Sequence, residues 1–220
     1  LQLTADLTRA HLNCETSAVF LFDDGRYRRR AAAGVPADWF ADESFATGEG
    51  LTGRAAVLRS GPYPHPVVHN DVESSGHAAP DSLRRYRERM RTGRAAHLIA
   101  VPLLESHRPI GILRVLNRLT QDGELAAGGF TKADVDLLSA IASQVSLALA
   151  DSRKRERIQQ LRVRLEQQVR RRTEEAQRLA SFVENAPLAI FWLDATGLLQ
   201  FVNEAGEEMF GYPADELRGR

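Results

Sequence analysis

From Phe130 to Ala186 the sequence contains neither glycine nor proline. Nothing in that interval interrupts a helix, and Leu138, Ile141, Val145 and Leu149 recur at steps of three and four. The pattern predicts one helix of about 50 residues. Its start is marked by Thr131-Lys-Ala-Asp134: the Thr131 hydroxyl accepts from the third helical amide, and Asp134 reaches back, a shorter relative of the Ser/Thr-x-x-Glu capping box. Such a helix is too long to be covered by one small globular body, so the chain reads as a body, a rod and something beyond it.

The second half of the rod differs from the first. Asp151–Arg178 holds ten basic and five acidic residues. These interleave with Ile158, Leu161, Leu165, Val169 and Ala176, at steps of 3, 4, 4 and 7. The charges therefore read as the solvated flanks of an apolar seam rather than a nucleic-acid patch. An eleven-residue spacing from Ile158 to Val169 sits close to the natural helical twist and favours nearly straight pairing. The seam is thin, with Arg172 on it, so the expectation is a parallel homodimer with a weak, adjustable contact.

Ahead of the rod, the segments alternate in a mixed α+β pattern. Leu3, Leu7 and Ala10 share one face of a short helix over residues 2–13. Ser17–Phe22 and Tyr27–Ala33 flank Asp23-Asp24-Gly25, which predicts a tight antiparallel hairpin. Gly48–Gly50 breaks the chain before a helix over Leu51–Leu58. Residues 60–80 form an irregular crossing with a short strand near Val67–His69. Asp81 caps a helix carrying Leu83, Tyr86 and Met90. His97–Leu104 and Ile110–Asn117, joined by Glu105–Pro109, give the strongest strand signal. In the first, Leu98 and Ala100 point to one face, and Ile99, Val101 and Leu103 to the other. A strand apolar on both sides must be covered on both: here helices on one, and on the other a cover that leaves room for a small-molecule cavity. Beyond the rod, Ala189–Leu193 and Leu199–Val202 read as strands around the turn Asp194–Gly197. Asn203 caps a helix ending at Gly211, and Pro213 opens another.

Compartment and chemistry follow from what is scarce. The formal charge is zero, 29 basic against 29 acidic residues, which provides no global attraction to nucleic acid or membrane. Cys14 is the single cysteine, so disulfides within the chain are excluded and a reducing cytoplasm is expected. The apolar run at Ile99–Leu104 is short of the roughly 18 residues a membrane span needs, and no membrane contact is expected. The N-terminal residues do not read as a charged-then-apolar leader, and the expectation is a fragment of a longer chain at both ends. No nucleophilic triad, phosphate-cradling glycine loop or paired-acid frame is visible, so no catalytic function is expected within these residues.

Several segments together carry a family resemblance: Gly48-Glu-Gly-Leu-Thr-Gly53, Ile99-Ala-Val-Pro-Leu103, Pro109-Ile-Gly-Ile-Leu113, and Phe130-Thr-Lys-Ala-Asp-Val-Asp-Leu-Leu138 running into Ile141-Ala-Ser-Gln-Val145. In their order and spacing, residues 1–150 resemble the GAF family of sensory domains. Glu184-Asn-Ala-Pro187, Asp194-x-x-Gly197, Val202-Asn203-Glu-Ala205 and Phe210-Gly-Tyr-Pro-Ala-Asp-Glu-Leu217-x-Gly219 resemble the start of a PAS domain over 181–220, with its later strands missing. The resemblance implies a GAF-like central antiparallel sheet flanked by helices, a signalling helix or coiled coil over 151–180, and a partial PAS fold.

The resemblance also implies a ligand site between the sheet and its covering loops. Carried over by position, its walls are Leu51, Thr52, His69, Asp71, Tyr86 and Leu98. Those same residues serve equally as core packing in a domain that binds nothing. The cyclic-nucleotide branch of the family carries Asn-Lys…Phe-x-x-x-Asp-Glu. This chain has Asn117-Arg118…Phe130-Thr-Lys-Ala-Asp134-Val135, which keeps half the pattern and offers Arg118 and Asp134 as a structural ion pair. A covalent bilin is disfavoured because Cys14 precedes the first strand, and methionine sulfoxide reductase chemistry needs more cysteines. Haem would require His69, His77 or His97 as axial ligand, and no His/Cys spacing suggests a metal. The cofactor is left unassigned. The implied role is sensory input and dimerisation in a cytoplasmic signal-transduction protein, with a histidine kinase the first expectation for output and a diguanylate cyclase the next. A purely structural dimerisation role is the alternative.

Overall fold

The structure, a computed structural model, describes residues 1–36, 43–57, 64–76 and 80–217, with only the backbone described at 80–83. Leu58, His77 and Gly219, and the side chains of Asp81 and Leu83, lie outside what is described. The chain divides into two compact units, Leu1–Arg153 and Lys154–Arg220.

The first unit is α+β. Its six-stranded sheet has the order β3-β2-β1-β6-β5-β4, from β1 (Cys14–Asp23), β2 (Arg26–Ala33), β3 (Ser44–Phe45), β4 (Val67–His69), β5 (Leu98–Glu105) and β6 (Arg108–Arg118). Every pairing is antiparallel. The β1–β2 turn is closed by Asp24 and Gly25, at φ 46° and 77°, as the Asp-Gly signal required. The β5–β6 turn is tighter than the five-residue connection expected: Glu105 pairs with Arg108, and Ser106 and His107 sit at φ 45° and 72°.

The helices are α1 (Gln2–His11), α2 (Gly50–Gly53), α3 (Pro80–Arg89) and α4 (Lys132–Glu184). The helix expected over Leu51–Leu58 is shorter: α2 passes directly into a 3-10 turn at Arg54–Ala56. The expectation for α1 is corrected. Ala5, Thr8 and Leu12 face the protein, whereas Leu3, Leu7 and Ala10 are exposed. Both faces of α1 carry apolar residues, so periodicity did not distinguish the one that small side chains let approach the sheet.

The sheet is covered on both sides, as the doubly apolar strands required. Ile99, Val101, Leu103, Leu113 and Val115 join one core cluster with Leu138 and Ala142 of α4. Leu98, Ala100, Ile112 and Leu116 join the other with Phe20, Leu51, Val72 and Met90. Thr131 caps α4: Asp134 Nα donates to Thr131 Oγ1 over 3.3 Å, and Thr131 Nα donates to Asp134 Oδ2 over 2.7 Å. Within α4 only Asp134, Leu138, Ala142 and Ser146 are buried. By length and composition α4 qualifies as able to cross a membrane, with an 18-residue window of mean hydropathy 1.3. The charge distribution puts such a window in the first half of α4, the part that packs on the sheet.

The second unit contains the remainder of α4 and a two-stranded sheet, β7 (Phe191–Leu193) with β8 (Leu199–Val202), followed by α5 (Glu204–Phe210) and α6 (Ala214–Leu217). Asn203 organises it. Its Oδ1 accepts from Ile190 Nα and Gly206 Nα at 2.8 and 3.1 Å, and its Nδ2 donates to the carbonyls of Val183 and Leu188, each at 3.0 Å. Gly211 ends α5 in the left-handed region. Leu199 and Val202 of β8 are buried, whereas Trp192 and Leu193 of β7 and Met209 of α5 remain more than half exposed, at 56%, 52% and 60%.

Candidate functional site

Strand β6 alternates between the two cores, and Arg114 falls on the same face as Ile112 and Leu116. Its direct neighbours across the ladder are Ala18 on β1 and Ala100 on β5. Two alanines leave the guanidinium the space it needs in the middle of the sheet. Arg114 is 5% exposed, and a charge at that depth must be paired.

The pairing comes from Glu43. Arg114 Nη1 donates to Glu43 Oε1 over 2.6 Å and Nη2 to Oε2 over 3.1 Å, a two-pronged contact. The Tyr86 hydroxyl donates to Glu43 Oε1 over 2.8 Å. Thr52 Oγ1 lies 3.5 Å from Arg114 Nη1, and the guanidinium carbon stands 4.8 Å from the Phe20 ring centre and 5.7 Å from that of Tyr86. Burial alone would push the Glu43 carboxyl up, but the charge and hydrogen bonds of Arg114, the Tyr86 bond and the nearby Arg29 charge outweigh it and hold it below its ordinary value. Burial pulls Arg114 down, and Glu43 more than reverses this. The Tyr86 phenol is raised, chiefly by burial.

This cluster fills the place where the resemblance put a ligand. A cavity of about 10 Å³ remains, lined among others by Ser17, Arg29, Glu43, Tyr86 and Arg114. That is about the space the centre of one water molecule occupies. Two of its lining groups, Ser17 Oγ and Arg114 Nε, are buried without a hydrogen-bond partner.

Of the six expected wall residues, Tyr86 lines this cavity. Thr52 approaches Arg114, and Leu51 and Leu98 lie in the same core cluster. Thr52 is positioned by the glycine motif: Gly48 Nα bonds to Gly53 O over 2.9 Å, and a Cβ on Gly53 would stand 2.5 Å from Ala46 O. His69 pairs with Leu98 at the β4 edge. Asp71 is exposed and accepts from Ser74 Nα over 3.3 Å, and the Ser74 hydroxyl and amide hold its carboxyl below the usual range. Neither belongs to the cavity wall. Arg114, Glu43 and Arg29 were missed. Arg114 had a signal, a lone charge in the otherwise apolar run Ile110–Leu116, whereas Glu43 lies in a segment without periodicity.

The half-kept nucleotide motif forms a separate polar node. Asn117, fully buried at φ 54°, accepts from Ala96 Nα over 2.8 Å and His97 Nα over 3.2 Å. It donates to Glu15 Oε2 and Thr92 Oγ1, both over 2.8 Å. Arg118 Nε stands 3.1 Å from Asp134 Oδ2, but without the alignment of a hydrogen bond. Asp134 therefore acts as both helix cap and ion-pair partner. His97 is buried with Nδ1 unpartnered, edge-on to Phe130 at 6.2 Å. Burial, followed by the Arg94 charge, lowers its pKa. Cys14 is buried and its thiol is pushed up to about 12, mainly by burial. Among the described residues, no group of three or more His, Cys, Asp or Glu side chains is arranged to hold a metal ion.

Curated proteins give no match. Among solved structures, the chain is similar to the GAF domain of a phosphoenolpyruvate-protein phosphotransferase from Coxiella burnetii, at 18% identity and TM-score 0.57, over 71% of this chain and 83% of that one. It is similar to free methionine-R-sulfoxide reductase from Neisseria meningitidis, solved in complex with its substrate, at 20% identity and TM-score 0.53, over 70% and 78%. A domain assigned to a two-component sensor histidine kinase protein from Sinorhizobium meliloti 1021 matches at 20% identity and TM-score 0.51, over 72% and 93%. At such identities the likeness is one of fold. A PAS domain family model matches residues 177–220. The GAF domain family model matches residues 1–150, well over half of the chain, and the protein therefore belongs to the GAF domain family.

Proposed function

We propose that the chain is a sensory input and dimerisation module of a cytoplasmic signal-transduction protein. In this reading, ligand or partner binding at the Arg114–Glu43 site biases the packing of paired α4 helices, which pass the bias to the PAS-like region and an output domain. The observation that carries it is the bare apolar seam of α4: Ile158, Leu161, Leu165 and Val169 are exposed at 44%, 52%, 60% and 63%. A single-chain helix gains nothing from four such residues in water, whereas a parallel copy of the same helix would cover them. Two sensory families on one chain support the assignment to signalling, and the likeness to the Sinorhizobium kinase-protein domain supports a histidine kinase as output. Conformational bias of this kind extends only as far as the ligand's differential affinity for the two packings. The reading assigns no nucleic acid and no membrane to these residues.

Sedimentation of the intact chain tests this reading. A dimer is expected, with Leu161→Asp/Leu165→Asp shifting it to monomer. Leu161→Cys in a Cys14→Ala background should form an interchain disulfide on mild oxidation, as parallel pairing requires. A wild-type monomer at high concentration sinks the proposal. A second reading, in which the module dimerises and relays without any ligand, is favoured by one observation: the site is filled by its own side chains, leaving about 10 Å³, against the ~300–1,000 Å³ typical of small-molecule pockets.

A further inference from the structure

The sensory reading leaves the ligand's chemistry open, and the Arg114 cluster narrows it. A buried ion pair adds little to stability compared with apolar residues of similar volume, so an arginine flanked by Ala18 and Ala100 is an expensive way to fill a sheet face. Its carboxylate partner does not come from the sheet's interior. Glu43 immediately precedes β3, a two-residue edge strand paired through Tyr27–Phe45 and Arg28–Ser44, and its carbonyl accepts from Arg29 Nα over 3.2 Å. Arg29 as well as Arg114 acts on the Glu43 carboxylate. Finally, Ser17 Oγ and Arg114 Nε face the small cavity with no partner, although Ser17 is 0% and Arg114 5% exposed. Buried polar groups of this kind are normally satisfied.

Resting on the sensory reading above, we propose that this site binds a small organic carboxylate, and that Glu43 is the internal carboxylate that holds its place. The ligand's two carboxylate oxygens take the positions of Glu43 Oε1 and Oε2, accepting from Arg114 Nη1 and Nη2 and from the Tyr86 hydroxyl. A hydroxyl on its short chain reaches Ser17 Oγ. Ala18, Ala32 and Leu116 on the cavity wall suit a short apolar chain. A planar two-oxygen acceptor matches the fork that Glu43 already occupies.

Calorimetric titration of the intact chain with propionate, lactate, succinate and inorganic phosphate tests the proposal. Glu43→Gln removes the internal competitor and should tighten carboxylate binding about tenfold or more, because the competent fraction rises. Glu43→Gln/Arg114→Met, which leaves no unpaired buried charge, should abolish binding while retaining wild-type far-ultraviolet circular dichroism. Ser17→Ala should weaken lactate about fivefold and leave propionate unchanged. Absence of carboxylate binding to both wild type and a folded Glu43→Gln overturns the proposal. So does binding of phosphate alone, or equal binding by the double variant. A dimer that binds no carboxylate removes this inference and leaves the relay reading standing, whereas a monomer that binds one does the reverse.

Discussion

Helix α4 is two different helices written in one unbroken sequence. Up to Arg153, its inward residues Leu138 and Ala142 are 0% and 1% exposed against the sheet. From Lys154 to Glu184 the residues Leu165, Val169 and Leu179 are 60%, 63% and 68% exposed. Both halves carry apolar residues at helical spacing, yet among the described residues only the first has its stripe covered. The difference shows that periodicity specifies a face but not what covers it. Where the cover is intramolecular, burial contributes to folding. Where it is missing, the same residues contribute little to the stability of the single chain. The bare half is held by local terms, such as the Arg170–Glu174 and Arg171–Glu175 pairs at 2.9 and 3.2 Å, which are solvent-exposed and of small individual value.

This contrast can be broken by mutation, and the largest effect belongs to the covered unit. Arg114→Met leaves Glu43 buried without its partner and should destabilise the first unit by about 3–5 kcal/mol. Slowed loss of protection in that unit, read by hydrogen exchange of the β1–β6 amides, would contradict it. Leu138→Ala should cost about 2–5 kcal/mol, whereas Leu165→Ala should change the monomer by under about 0.5 kcal/mol and weaken only association. Urea unfolding at several protein concentrations separates the two, and equal effects would erase the distinction between the halves. Asp134→Ala removes the reciprocal half of the Thr131 capping box and the Arg118 contact, and should cost about 1 kcal/mol, read by the same melts.

Acid gives a smaller and graded effect. The Glu43 carboxyl is held below its ordinary value of 4.5 in the folded protein. Its stabilising contribution is therefore complete above that value and declines as pH falls from about 4.5 towards the depressed native value. His97, lowered from 6.5, acts in the same direction from that pH downward, because protonation is easier in the unfolded chain. Melting temperature measured from pH 7 to pH 3 should fall, and Glu43→Gln should flatten the lower part of the curve. An unchanged profile in that variant would remove Glu43 from the account.

The candidate site was legible only in part. Tyr86 and the GEGLTG segment were placed by their position in the pattern, but His69 and Asp71 lie off the cavity wall, because loops near one another in sequence need not face the same space. Arg114 was readable as a lone charge in an apolar strand. Its partner was not, because a carboxylate arriving from 71 residues away leaves no local trace. The face of α1 was misassigned for a related reason: both of its faces are apolar enough, and steric fit against β1 and β2 chose Ala5 and Thr8.

The sequence alone settled what short-range physics controls. The Asp-Gly turn, the Thr131–Asp134 cap, the Asn203 cap and the alternation of Leu98–Leu103 all follow from residues within a few positions of one another, and the lack of any breaker after Phe130 follows from composition. The tertiary structure decided what depends on distant segments meeting: which helix face packs inward, which loop carboxylate pairs with Arg114, and how little space remains beside it. Local torsional and hydrogen-bonding preferences are written into neighbouring residues, whereas desolvation and charge pairing are set only once the chain has closed on itself.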